Sequence, residues 1–158
     1  MYWVIWLGII ILSLVVQTVW GDILTVYEIR PDLLFVVIVI FSFKHSTFES
    51  GLIGFIAGIL QDSSSGINFG INAFTKLIIG LITSNIKKVY AENLISISLS
   101  IFVFTLIQSL LIFALQSISI ISGISTINRC LLVALYNTLL GILIFPLIRK
   151  VKTGYKNV

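Results

Sequence analysis

Long apolar runs alternate with short polar segments along this chain, and the pattern predicts an all-α protein with six transmembrane helices. A bilayer core of about 30 Å needs about 20 apolar helical residues. The second to fourth runs are shorter, and a 15-residue helix covers only about 22 Å. The predicted helices run from Tyr2 to Trp20, Pro31 to Lys44, Thr47 to Gln61, Ala73 to Asn85, Leu94 to Leu115 and Arg129 to Ile148.

The first run has aromatic residues at both ends, which is typical of a helix that spans a membrane. Trp3 and Trp20 are separated by about 25 Å of helix, and Tyr2 and Trp6 lie near the first of them. This spacing matches two interfacial aromatic belts. A cleaved signal peptide is the rival interpretation, but it would carry a basic start and a small-residue cleavage site. Neither is present, so we expect a retained first helix.

Helices 2 and 3 allow two interpretations because both are short. They could form a re-entrant hairpin, which would place Lys44, His45 and Glu49 inside the membrane. Charged groups at that depth cost several kcal/mol by most estimates. Two short true spans with local thinning of the bilayer avoid that cost. We therefore predict two spans.

Two polar segments are predicted to be loops, and no boundary between domains is visible. Residues 62–72 form the most polar stretch, which cannot continue a helix that faces lipid. Residues 116–128 are rich in Ser, Ile and Gly. We predict one six-helix domain over residues 1–148, followed by a short basic cytoplasmic tail over residues 149–158.

The composition agrees with a membrane protein and excludes several other classes. Hydrophobic residues make up 58% of the 158 residues, charged residues only 10%, and the mean hydropathy is +1.15. Soluble domains carry about 25% charged residues, so a soluble enzyme and a disordered chain are excluded. The net charge of +4 comes from scattered residues, which argues against nucleic-acid binding. Cys130 is the only cysteine, so no disulfide can form within the chain.

The distribution of Lys and Arg predicts the orientation of the bundle. Basic residues concentrate in cytoplasmic segments of membrane proteins. The loops between helices 1 and 2, 3 and 4, and 5 and 6 hold only Arg30 and Arg129. Lys76 lies one turn inside helix 4. We therefore expect both termini in the cytoplasm. The basic residues of the predicted cytoplasmic side are Lys44, Lys87, Lys88, Arg149, Lys150, Lys152 and Lys156.

Polar side chains that could carry chemistry collect at the predicted outer side. Charged groups at membrane depth indicate function by default, but helix-terminal charges can also serve structure alone. Asp62 and Lys76 could pair across the loop between helices 3 and 4. His45 is the only histidine, so no acid–base pair is available and we predict that the protein is not an enzyme. We also predict no cofactor and no metal site. The candidate partner-facing or ligand-facing residues are Arg30, Asp32, Asp62, Asn72, Lys76 and Arg129.

Small and polar residues within the helices predict where helices pack together. Gly54 and Gly58 form a GxxxG pair, which lets two helix backbones approach closely. Packing within the bundle and dimerisation are both possible uses. Asn137 lies near the middle of helix 6 and needs a hydrogen-bond partner because lipid offers none. Helix 5 carries a stripe at spacings of three and four, which predicts a seam against a neighbouring helix. The packing residues are Gly51, Gly54, Gly58, Asn137 and Gly141, and the stripe comprises Ser98, Phe102, Thr105, Ser109, Ile112 and Gln116.

Residues 30–80 carry the motifs of a known family. The run Arg30-Pro31-Asp32 opens helix 2. Gly54, Gly58 and Asp62 then follow at intervals of four residues, and Ser65-Gly66 is followed by Gly70. This pattern resembles the MreD family of bacterial rod shape-determining membrane proteins. The fold of that family in turn resembles the S-components of energy-coupling-factor transporters, which bind vitamins.

The resemblance implies a scaffold in the bacterial inner membrane with no enzyme activity of its own. Its implied partners are MreC, a single-span protein, and the elongation complex of MreB, RodA and a transpeptidase, which makes lateral peptidoglycan. A homo-oligomer is possible. The alternative is an S-component-like protein that binds a small vitamin-type molecule or lipid for uptake.

Overall fold

In a computed structural model, the described part of the chain forms a bundle of six α-helices. The structure describes residues 2–21, 23, 25, 29–65, 70–86, 92–116 and 123–151. The predictions for Gly66, Lys87, Lys88, Lys152 and Lys156 lie outside these residues. The helices are α1 (Tyr2–Val19), α2 (Leu33–Lys44), α3 (Thr47–Ser65), α4 (Ile71–Ile86), α5 (Leu94–Gln116) and α6 (Gly123–Ile148).

Helix α2 lies in the centre of the bundle and is buried on all sides. Its residues from Leu33 to Phe43 are all buried, and the helix contacts each of the other five. A helix with apolar residues on every face is stable when it is buried on every side. The core of the protein is therefore built around a helix of only 12 residues, which is about 18 Å long.

Helices α3 and α4 form the tightest pair, because glycines allow their backbones to touch. A Cβ atom at Gly54 would collide with the carbonyl of Lys76, and one at Gly58 would collide with the backbone of Ala73. Gly51 faces the side chain of Leu81. The GxxxG face of α3 is thus covered by α4 of the same chain.

Helices α5 and α6 form a second antiparallel pair against α2. Gly141 on α6 contacts the side chain of Ile101 on α5, where a Cβ atom would collide. Of the stripe residues whose burial the structure describes, Thr105 alone is buried; Ser98, Phe102, Ser109 and Ile112 are half-buried. The buried residues on α5 are Ile97, Ile101, Phe104, Thr105 and Gln108.

The end of the bundle near the start of α3 is held by an aromatic cluster and a lysine. His45 stacks on Phe41, with ring centroids 3.8 Å apart, and Trp6 packs edge-on against both rings. Lys44 Nζ contacts Glu92 Oε1 and the carbonyl of Arg149, both at 3.1 Å. Trp6 is fully buried, so its assignment to an interfacial belt was wrong.

The prediction of an all-helical protein with six helices is confirmed for the described residues, but several boundaries differ, and α4 begins at Ile71 rather than Ala73. Helix α2 begins at Leu33 rather than Pro31, because Asp32 caps it. Helix α3 continues past Gln61 to Ser65, and α6 begins at Gly123, six residues before the predicted start.

Among the described residues, two helices are long and apolar enough to cross a membrane by length and composition. These segments are Leu94–Ile112 in α5 and Ile127–Ile148 in α6. The three shorter apolar helices cover Trp3–Val19, Leu33–Lys44 and Ile71–Ile86.

Candidate functional site

A buried carboxylate at the start of α2 organises the interior of the bundle. Asp32 Oδ1 accepts a hydrogen bond from the backbone N–H of Phe35 at 2.9 Å, which caps the helix. Its Oδ2 forms a 2.7 Å salt bridge with Lys76 Nζ and accepts from Gln108 Nε2 at 3.1 Å and Gln61 Nε2 at 3.4 Å. Lys76 itself is completely buried. One ammonium group and two amide donors thus contact the same carboxylate.

The backbone around Asp32 is held by two further helices. The N–H of Asp32 donates to Asn137 Oδ1 at 2.9 Å, and Asn137 Nδ2 donates to Thr105 Oγ1 at 3.4 Å. Gln17 Oε1 accepts from the N–H of Leu34 at 3.2 Å. The first N–H groups of a helix have no partner within the helix. These side chains accept hydrogen bonds from such N–H groups at the start of α2.

The N-cap residue of α2 and side chains from the other five helices therefore form a single polar cluster, which we call the polar hub. Lys76 supplies the only ammonium among its members, and its Nζ also lies 6.0 Å from the centroid of the Phe35 ring. The polar hub comprises Gln17, Asp32, Gln61, Lys76, Gln108 and Asn137.

The polar hub lies deep within the bundle rather than at its edge. Asn137 is 14 residues from the first residue of α6 and 11 from the last, so at least about 16 Å of helix extends on either side. The segment that ends at Asp32 consequently folds inward to the middle of α6. Non-helical backbone at such depth is stable only when it is buried within protein, and the polar hub provides its partners.

Asp62 belongs to a separate arrangement that caps α4. Its carboxylate accepts from the N–H groups of Gly70 at 2.9 Å, Asn72 at 3.2 Å and Ala73 at 3.1 Å, and from Asn72 Nδ2 at 2.9 Å. A carboxylate is favoured at a helix N-terminus, where N–H groups point outward. Gly70 has φ +99°, a conformation that glycine adopts most easily.

The predicted outer cluster thus divides into two sites. Lys76 forms its salt bridge with Asp32, so the predicted pair of Lys76 with Asp62 was wrong. Asp62 also does not end α3, because the helix continues to Ser65. Arg129 is exposed on α6, whereas Arg30 is exposed beside Asp32 and lines a cleft.

Sequence reasoning missed Gln108 and the role of Gln17. Gln108 is the one amide side chain between Leu94 and Leu115, and a polar group in an apolar helix needs an internal partner. The same rule identified Asn137, which does have such a partner in Asp32.

An open cleft adjoins the polar hub between α1, α3 and the segment before α2. Its volume is about 250 Å³, and Gln17 and Gln61 of the polar hub form part of its wall. Trp20, beside it at the end of α1, is 57% exposed. The lining residues are Leu14, Gln17, Thr18, Gly21, Arg30, Pro31, Gln61 and Ser64.

The described residues define an all-helical bundle with a buried ion pair and two helices long and apolar enough to cross a membrane, which is consistent with a membrane protein. The family described as rod shape-determining protein MreD matches residues 1–151. The chain therefore belongs to the MreD family, whose members are rod shape-determining membrane proteins of the MreBCD system. No curated protein and no solved structure matches the chain.

Proposed function

We propose that this protein is a non-enzymatic scaffold of the cell-elongation machinery in the bacterial inner membrane. In this role it spans the membrane six times and pairs with an MreC-like single-span protein. The complex supports lateral peptidoglycan synthesis together with MreB, RodA and a transpeptidase. Membership of the MreD family supports the shape-determining role.

The polar hub is the observation that carries the proposal. The buried charges of Asp32 and Lys76 neutralise each other at 2.7 Å, and amides from Gln61 and Gln108 bind the same carboxylate oxygen. A group fixed by so many partners is suited to holding helices in register, because breaking a buried pair is strongly destabilising. A rigid bundle is what a scaffold requires.

The positions of the basic residues support one orientation in the membrane. Lys44, Arg149 and Lys150 lie at one end of the bundle, where Lys44 contacts the carbonyl of Arg149. The polar hub opens toward the other end, next to Arg30. By the positive-inside rule, we assign the Lys44 end and both termini to the cytoplasm, and the Asp32 end to the outer side.

Depletion combined with affinity purification tests the proposal. Rod-shaped cells depleted of the protein become round, and an MreC-like protein copurifies with the tagged chain. Cells that keep their shape, or a tagged chain that recovers no single-span partner, would contradict a scaffold role.

The cleft beside Arg30 favours one alternative, an S-component-like protein that takes up a vitamin-type molecule. In that case a tightly bound small molecule and an ATPase module copurify with the chain, and depletion leaves cell shape intact. Mass spectrometry of the same purified sample therefore separates the two functions.

A further inference from the structure

A groove opens at the Lys44 end of the bundle, between the start of α5 and the last turns of α6. Its volume is about 480 Å³, within the range of about 300–1,000 Å³ that is usual for small-molecule sites. The lining residues, which define what we call the basic groove, are Leu94, Phe145, Pro146, Arg149 and Lys150. Phe145 is buried, and the other four are exposed. The basic groove thus combines apolar surface with two accessible cations.

Neither cation of the basic groove has a carboxylate partner among the residues that the structure describes. Glu92 forms a 3.1 Å salt bridge with Lys44 instead. Glu49, at the same end of the bundle, accepts hydrogen bonds from the N–H and the hydroxyl of the residue three before it, both at 2.9 Å. The carboxylates at this end therefore have other donors, and Arg149 and Lys150 keep their charges for an external anion.

The basic groove lies where both of its helices change from apolar to polar exposed residues. On α6 the apolar stripe of Leu139, Leu143 and Leu147 is 61%, 67% and 77% exposed. The basic pair begins two residues after that stripe, about 3 Å further along the helix axis. On α5, Ile95 is 79% exposed and the polar Asn93 precedes it by two residues. Long basic side chains near the end of an apolar helix reach the head-group region of a membrane, which places the groove at the level of lipid phosphates.

We propose that the basic groove binds an anionic glycerophospholipid of the phosphatidylglycerol type. The planar guanidinium of Arg149 pairs with two phosphate oxygens, and Lys150 adds a second positive charge. Leu94 and Pro146 contact the glycerol backbone and the first methylene groups of the acyl chains. A free phosphate would leave this apolar surface uncovered, so charge and surface together favour a lipid. The site depends on the location of the chain in a membrane but not on the scaffold role.

Native mass spectrometry tests the proposal on the full-length protein after delipidation. Phosphatidylglycerol and phosphatidylcholine of equal acyl length are added separately. One basic side chain at a membrane surface raises the affinity for anionic lipid about fivefold, so two give about 25-fold. Phosphatidylglycerol is therefore retained about 25-fold better than phosphatidylcholine, and equal retention would overturn the proposal. Displacement of phosphatidylglycerol by equimolar inorganic phosphate would assign the groove to a free anion and would overturn the lipid as its ligand.

Matched charge variants locate the site on the protein. Arg149→Gln and Lys150→Gln each lower the preference for phosphatidylglycerol about fivefold, and the double variant removes it. Arg129→Gln makes the same loss of charge near the other end of α6, outside the groove, and leaves the preference unchanged. Both groove side chains are exposed, so without added lipid their variants unfold at the temperature of the original protein. Equal losses in the three single variants would show a response to net charge alone and would refute the site.

A second pair of variants tests the shape of the groove without a change of charge. Leu94→Trp fills the groove and lowers retention of phosphatidylglycerol severalfold. Ile95→Trp, at the next residue but outside the lining, leaves retention unchanged. Both positions are exposed, and tryptophan is common at membrane interfaces. Equal retention by the two variants would overturn the groove as the place where the lipid binds.

Discussion

Lys76 on α4 reaches across the bundle to Asp32 at the start of α2, and the two form a 2.7 Å salt bridge in the protein interior. They are 44 residues apart in the chain. The carboxylate also caps α2, so one side chain fixes the start of the central helix and joins it to α4. This double role makes the pair the most sensitive point of the structure.

Removing either charge alone should destabilise the protein more than removing both. Lys76→Met leaves a buried carboxylate, and Asp32→Asn leaves a buried ammonium; each change costs about 3–5 kcal/mol. The double variant Asp32→Asn/Lys76→Met keeps a capping side chain and leaves no charge, so it recovers part of the loss. Thermal unfolding followed by fluorescence-detected size exclusion measures all three. Lys150→Met, at an exposed lysine, is the control and unfolds at the normal temperature.

The carboxylate of Asp62 stabilises α4 without any contribution from Lys76. Asp62→Ala leaves several N–H groups at the start of α4 without an acceptor and should cost about 2 kcal/mol. Asp62→Asn keeps one acceptor oxygen and loses less. The charge exchange Asp62→Lys/Lys76→Asp rescues neither single defect, because the two residues serve different partners. A recovery of folded protein in the exchange variant would show that the two side chains do pair.

The close contact of α3 and α4 does not tolerate a methyl group. Gly58→Ala forces the new Cβ into the backbone of Ala73, and such overpacking costs about 1–3 kcal/mol. Gly8→Ala is the matched control, since a Cβ at Gly8 meets no atom within 4 Å. It should leave stability unchanged or raise it by about 0.5–1 kcal/mol through helix propensity. Equal melting temperatures for the two variants would rule out the steric explanation.

The proposed orientation is tested by cysteine labelling in a Cys130→Ser background. Ser64 is exposed near the Asp32 end, and Asn93 is exposed near the Lys44 end. Ser64→Cys should react with an impermeant maleimide in intact cells that have a permeable outer envelope. Asn93→Cys should react only after the inner membrane is opened. Labelling of Asn93→Cys from outside would exclude the six-span topology.

The number and centres of the helices could be predicted from the sequence because each helix corresponds to one apolar run. The end of α3 could not, since a run of serines usually indicates a loop. Here Ser63 donates to the carbonyl of Ile59 at 2.8 Å, and Ser64 donates to Leu60 at 2.9 Å. A serine hydroxyl that donates to a carbonyl of its own helix has a hydrogen-bond partner and does not end the helix. Helix α3 therefore extends beyond Asp62.

The residues of the site could be selected from the sequence, but their pairing could not. Asp62 and Lys76 flank the same loop, which suggested a pair, whereas Asp32 lies far away in the chain. Which of the two carboxylates Lys76 contacts depends on how α4 is rotated against α2. That rotation is fixed by the glycine contacts at Gly54 and Gly58. Contacts between backbones leave no polar signal in the sequence.

The order in which the ribosome makes these helices gives the buried salt bridge a further consequence. Asp32 is synthesised 44 residues before Lys76, and Asn137 follows 105 residues after Asp32. A partly made chain therefore holds the Asp32 carboxylate without Lys76, its salt-bridge partner, until α4 emerges. The start of α2 obtains its full set of partners only when the last helix arrives. Chains that stop before α4 lack the ammonium group that Asp32 contacts in the complete bundle.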